Sequence, residues 1–164
     1  MRTVQTKFAF VIGVIMPKAV FNLNKKNDWE TPPDLFNLGC DFFAHEPQLD
    51  VCATAENSKC KYHINESMDA LQSEFKLDWF CNPPYSDLKT WIRYCYLQHV
   101  KHNTNGLLLV FAKTDTAAFH DYVFGKGETL FLRGRVKFWN KGIPSKNPAP
   151  YPSCFIFYRK KYDV

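Results

Sequence analysis

An α/β domain built on a mostly parallel sheet with flanking helices is the fold class this 164-residue chain predicts. Three stretches carry that expectation. The run Gly106-Leu107-Leu108-Leu109-Val110-Phe111-Ala112 is continuously apolar, as a parallel strand buried on both faces is. Ahead of it, Leu88, Trp91, Ile92, Cys95 and His99 recur at helical spacing, marking a helix capped by Ser86 that lays an apolar stripe on the sheet. Ahead of that, Leu77-Asp78-Trp79-Phe80-Cys81 reads as an aromatic-rich strand stopped dead by Asn82-Pro83-Pro84-Tyr85. Proline has no backbone donor and restrains the residue before it, so this junction is rigid. Ligands of open α/β sheets bind at the carboxyl ends of strands, and a polar amide and a large ring sit side by side at this one.

The remaining elements follow in chain order. Residues 8–16 are apolar and preceded by Arg2 and Lys7, in the manner of a short signal segment, but no small-residue cleavage site follows. Nine residues also fall far short of the roughly 20 needed to span a bilayer, so no membrane association is expected. The stretch reads as a strand or a packed extension. Residues 1–27 are accordingly set apart as an N-terminal extension, with the domain proper over 28–164.

Past a basic, Asn-rich linker, the segment Trp29-Glu30-Thr31-Pro32-Pro33-Asp34 predicts a short helix. Thr31 is its N-cap, Pro32 its first helical residue, Asp34 an acid near the positive end, and Gly39 its stop. A second reading is that the Thr31 hydroxyl and free backbone donors there hold the carboxylate of a small ligand.

The strand over Leu49 and Asp50 ends in an acid followed by small residues, among them Ala53, which lets a ligand approach the backbone. No Gly-x-Gly accompanies it, and Asp50 equally suits a cap or a surface acid. Lys61-Tyr62-His63-Ile64 forms a short strand, and residues 65–71 a loop entering a helical turn. A second helix starts at Thr116 and stops at Gly125. Residues 129–139 and 153–158 read as closing strands, joined by a loop holding Pro144, Pro148, Pro150 and Pro152. Arg133, Arg135 and Lys137 fall on one face of the first of these, near Lys141 and Lys146. They are either a solvated strand edge or an edge that contacts phosphates.

The length fits one domain with a continuous core. A net charge of +5 suits a polyanionic partner without demanding one, and 16% aromatic residues serve a core or a nucleobase stack equally. The six cysteines lack paired two-residue spacing, which favours free thiols in a reducing compartment. Cys52, Cys60 and His63 fit no common zinc spacing, so no metal is expected.

Asn-Pro-Pro-Tyr at a strand end resembles the catalytic motif of adenine-specific, S-adenosylmethionine-dependent amino-methyltransferases. Glu-Thr-Pro-Pro, then Leu-Asp-Val-Cys-Ala, then Asn-Pro-Pro-Tyr-Ser, then Arg-Gly-Arg-Val-Lys-Phe is an order similar to the small phage-encoded Dam-like adenine methyltransferases, covering residues 28–158. The resemblance implies a compact Rossmann-like fold with Asn82, Pro83, Pro84 and Tyr85 at an adenine flipped from double-stranded DNA. It implies Thr31, Pro32, Asp50 and Ala53 at S-adenosylmethionine, Asp69 at the cofactor's adenine or else as a cap, and Arg133, Arg135 and Lys137 at DNA, with sequence choice resting on residues 134–153.

Such enzymes act in restriction-modification or mask phage DNA, which implies a phage- or prophage-encoded enzyme in a bacterial cytoplasm. Only 32 positions separate Asp50 from Asn82, less than the two full strand–helix units of larger relatives, so part of the sheet must be compressed. The same hydrogen-bond logic suits cytosine N4, RNA adenine or a protein glutamine. A reading from another class is a DNA-binding protein that retains the fold without the chemistry.

Overall fold

The computed structural model describes residues 29–161, so the expectations for residues 1–27 lie outside it. Six strands, β1 (Leu49–Asp50), β2 (Tyr62–His63), β3 (Trp79–Cys81), β4 (Gly106–Phe111), β5 (Glu128–Phe131) and β8 (Ser153–Tyr158), form one sheet in the order β2-β1-β3-β4-β8-β5. A separate hairpin pairs β6 (Trp139–Asn140) with β7 (Ile143–Pro144). The pairs β1·β2, β1·β3 and β3·β4 are parallel, and β8 runs antiparallel between β4 and β5. Three α-helices complete the fold among the described residues: α1 (Pro33–Phe43), α2 (Leu88–His102) and α3 (Ala117–Tyr122).

Strand alternation sorts the core into two layers, one on each face of the sheet. Trp79 and Cys81 of β3, Leu108 and Val110 of β4, and Cys154, Ile156 and Tyr158 of β8 face α2 and α3, where Trp91, Ile92, Cys95 and Phe119 meet them. Phe80, Leu107, Leu109, Phe111, Phe155 and Phe157 face α1 and the segment carrying Phe138 and Ala149. Both faces are covered, which explains why β4 and β8 are buried at every position and, apart from Ser153, read as apolar runs.

The compression between Asp50 and Asn82 has a structural form. Parallel crossovers usually contain a helix, but here residues 51–61 and 64–78 connect β1 to β2 and β2 to β3 with no α-helix, only two 3-10 turns at Glu66–Met68 and Ala70–Gln72.

Four local expectations are corrected. Pro32, not Thr31, is the N-cap of α1, and no side chain caps that end, because the helix begins one residue later than expected. Gly39 does not stop α1, which runs on to Phe43 and ends on Ala44 in the left-handed conformation. An added Cβ at Gly39 would lie 2.9 Å from the Phe155 ring, so glycine there serves close packing on the sheet. The cap of α2 is Asp87, whose Oδ1 accepts the Thr90 N–H at 3.3 Å, since a 3-10 turn over Tyr85–Asp87 comes before the helix.

The strand expected over 129–139 ends at Phe131. Leu132 N–H still reaches Ser153 O, but Gly134, at φ 78°, turns the chain so that Val136 and Phe138 pack over the α1 face, and the Ala149 N–H bonds Val136 O. Arg133, Arg135 and Lys137 therefore lie on an exposed loop, not along one face of a strand.

Candidate active site

Register brings two strand ends together. Asp50 of β1 is paired with Phe80 of β3, two residues before Asn82, and the Val51 N–H bonds Phe80 O at 2.9 Å. The rim formed by these carboxyl ends is closed on one side by α1, whose Phe36 ring meets Phe80 edge to face with centroids 5.0 Å apart.

At the end of β3 the Asn82 amide is held from both sides. Its Nδ2 donates to the Trp29 carbonyl at 2.8 Å, and its Oδ1 accepts the Tyr85 hydroxyl at 2.7 Å. The alternative placement of the amide would set Oδ1 against a carbonyl oxygen, so these partners decide its orientation. The Tyr85 ring stacks on Phe111 with centroids 4.0 Å apart and planes 12° from parallel, and Phe138 meets it at 54°. Burial pushes the Tyr85 phenol well above its ordinary value, so it remains a donor. Oδ1 keeps a second lone pair for another donor.

At the end of β1, Asp50 is 3% exposed. Its Oδ2 accepts the Lys59 N–H at 2.9 Å, yet burial, the larger effect, raises its carboxyl to about 6. No salt-bridge partner faces it among the described residues; the Lys59 and His63 charges act only as weaker influences. Thr31, also 3% exposed, has a buried Oγ1 with no hydrogen-bond partner among the described residues. Buried polar atoms are seldom left so, and both groups fit a small ligand bearing donors and acceptors. Ala53, three residues after Asp50, is buried with its N–H bonded to Ile64 O, while Pro32 is partly exposed at the start of α1.

Other expected residues sit apart from this rim or serve locally. Asp69, in the left-handed conformation at φ 47°, is exposed and caps a 3-10 turn by accepting the Leu71 N–H at 3.1 Å, the capping alternative weighed for it. Arg135 donates to the Pro150 carbonyl, tying the basic loop to itself. Among the described residues no three of His, Cys, Asp and Glu converge as metal ligands, and all six cysteines are free thiols.

Four residues escaped the reading of the sequence. Phe111 and Phe138 brace Tyr85 but look like ordinary core aromatics in sequence. Trp29 contributes a backbone carbonyl, which no residue type announces. Ser153 is fully buried, its Oγ without a hydrogen-bond partner among the described residues, and pairs with Phe111 across the β4·β8 ladder; a serine opening an otherwise apolar strand was its only trace.

A mostly parallel α/β sheet with flanking helices, carrying a fixed amide and an aromatic stack at its strand ends, is compatible with a methyltransferase fold. The chain belongs to the DNA N-6-adenine-methyltransferase (Dam) family, whose match spans residues 19–163. It is a DNA adenine-N6 methyltransferase, as the motif order suggested. A protein of Haemophilus phage HP1 named DNA N-6-adenine-methyltransferase is 27% identical over 128 residues, which cover 77% of this chain and 74% of that protein. No solved structure matches the chain. No helix among the described residues is long and apolar enough to cross a membrane.

Proposed function

We propose that the chain folds as a compact Rossmann-like domain over residues 28–164 and methylates adenine in double-stranded DNA with S-adenosylmethionine as donor, through Asn82, Pro83, Pro84 and Tyr85. The observation that carries this is the Asn82 amide, held between the Trp29 carbonyl and the Tyr85 hydroxyl at the end of β3.

The amine of adenine is a poor nucleophile because its lone pair is delocalised into the ring. Asn82 Oδ1 and the Pro83 carbonyl accept its two N–H bonds, drawing the nitrogen toward tetrahedral geometry with its lone pair directed away from both acceptors. The two prolines keep those oxygens in place, so little reorganisation accompanies the developing positive charge. After transfer the amine releases one proton to solvent, which requires no strong base. Flipping the target from the duplex costs stacking, and Tyr85 offsets about 1–3 kcal/mol of that per base.

The residues present fit the donor. Thr31 Oγ1, a buried hydroxyl with no partner among the described residues, bonds its carboxylate; Asp50 accepts its hydrogen-bond donors; Pro32 and Ala53 allow close approach, and Asp69 lies on the segment leaving β2. When bound, S-adenosylmethionine supplies an electrophilic methyl group on a sulfonium. Arg133, Arg135 and Lys137, on the exposed loop after β5, contact DNA phosphates, and residues 134–153 choose the sequence. Free thiols and a DNA substrate fit a bacterial cytoplasm.

The test is incubation of the protein with duplex DNA and methyl-labelled S-adenosylmethionine, followed by digestion to nucleosides. Label is expected in N6-methyladenine. Label in N4-methylcytosine, or in single-stranded substrates only, would refute the reading.

A further inference from the structure

The peptide group joining Trp29 to Glu30 faces two ways. Its carbonyl accepts from Asn82 Nδ2 at 2.8 Å, and its N–H, on the next residue, donates to the Trp139 carbonyl at 2.9 Å. Because a peptide unit is planar, the position of Trp139 fixes the plane of the carbonyl that orients the Asn82 amide. Trp139 opens β6, and it returns its own N–H to Glu30 O at 2.9 Å.

The hairpin of β6 and β7 turns on Lys141 and Gly142, both in the left-handed conformation at φ 49° and 72°, the two-residue turn that matches strand twist. A two-stranded hairpin is marginal by itself. Here the Glu30 carboxylate accepts the Gly142 N–H at 3.0 Å and so ties the turn to the segment before α1.

We propose that Glu30 is a positioning residue, latching the β6–β7 hairpin to the peptide that orients Asn82. The inference rests on Asn82 being the acceptor of the target amine. It also means that the hairpin, which lies in the basic segment, and the catalytic amide form one mechanical unit, so a duplex docking on the former bears on the latter.

Two substitutions separate contact from charge. Glu30→Asp keeps the charge but withdraws the carboxylate by one methylene from Gly142; Glu30→Gln loses the charge but keeps an oxygen acceptor of full reach. Both sit at a partly exposed position, so folding is checked by thermal melting and is expected to be retained. Single-turnover methyl transfer to duplex DNA should fall about threefold to tenfold in Glu30→Asp, the scale of one lost hydrogen bond in the restraint on the Asn82 amide. Glu30→Gln should stay near the unmodified rate, and both variants should bind S-adenosylmethionine and duplex as the unmodified chain does.

In an Asn82→Ala background, Glu30→Asp should cost nothing further, because residues acting through one another are not additive. A full rate in Glu30→Asp, an equal loss in Glu30→Gln, or a further loss in the double variant would overturn the latch while leaving the role of Asn82 intact. Transfer that survives Asn82→Ala alone would instead overturn the reading of the site, and the latch with it.

Discussion

The carboxyl ends of β3 and β1 lie side by side, yet they are built on opposite terms. At the end of β3 the polar groups have partners before any substrate arrives: Asn82 holds two hydrogen bonds and Tyr85 rests on Phe111. At the end of β1 a buried carboxylate faces no ion-pair partner among the described residues, and on the approach to α1 a buried hydroxyl has no hydrogen bond. A group that orients a reacting atom works best when fixed in advance, since reorganisation would add to the barrier. A group that binds a donor can remain unsatisfied without it, because the ligand itself supplies the missing partner and stabilises the fold by mass action. In the proposed function, transfer falls to the first rim and cofactor retention to the second, and separate substitutions perturb each.

The largest effect is expected at the satisfied end. Asn82→Ala should lower the rate of transfer by about 10²–10³, the loss seen when one preorganised polar group of this kind is removed. Affinity for S-adenosylmethionine, measured by equilibrium dialysis, should stay unchanged. A comparable loss of cofactor affinity would merge the two rims and end the contrast between them.

At the end of β1, where the Asp50 carboxylate has backbone hydrogen bonds but no ion-pair partner among the described residues, Asp50→Asn should stabilise the ligand-free protein. The folded carboxyl titrates at about 6 against 3.8 as its ordinary value, so the native state binds more protons than the unfolded chain between those limits. Stability from this group is therefore complete below about pH 4, declines as pH rises, and is lost above about 6. At pH 7 the ionised, buried form costs about 3 kcal/mol. Melting temperatures of the two proteins should diverge at pH 7 and converge near pH 4, while the variant binds the cofactor more weakly. A gap of equal size at both values would show that ionisation is not the cause.

Thr31→Val is the next smaller perturbation. Valine nearly matches threonine in shape, so the change deletes only a buried, unpartnered hydroxyl. The folded state should gain up to about 1–3 kcal/mol, and cofactor binding should lose a hydrogen bond. Unchanged affinity in titration calorimetry would mean that Thr31 Oγ1 does not meet the ligand.

How much of this arrangement was legible in the sequence depended on the range of the interactions. The double proline ends β3 at Cys81 by its own local chemistry, and the apolar run of β4 declares burial on both faces, so the strand stop and the burial were both read correctly. The spacing of Asp50 and Asn82 demanded a compressed connection, and the crossovers without α-helices supply it.

Errors arose where a distant partner overrode a local pattern. Alternating Arg133, Arg135 and Lys137 mimic a strand, but the ladder along β8 ends at Cys154 opposite Phe131, and the turn at Gly134 sends the apolar residues after it over the α1 face. Gly39 looks like a helix stop, yet the Phe155 ring needs its space. The hairpin ties to Glu30 across 112 positions, a separation at which single-sequence patterns carry no information.

The smallest predicted effect, Tyr85→Phe, probes how much of the β3 rim is orientation and how much is stacking. Phenylalanine keeps the ring that lies on Phe111, so affinity for duplex DNA should persist. What it removes is the hydroxyl that donates to Asn82 Oδ1, one of the amide's two restraints, while the Trp29 carbonyl remains. A single net hydrogen bond contributes about 0.5–1.5 kcal/mol, so the transfer rate should drop roughly threefold to tenfold. A drop as deep as that of Asn82→Ala would place the phenol itself in the chemistry. A rate equal to that of the unmodified chain would show that the Trp29 carbonyl alone orients the amide and that Tyr85 acts at this rim only through its ring.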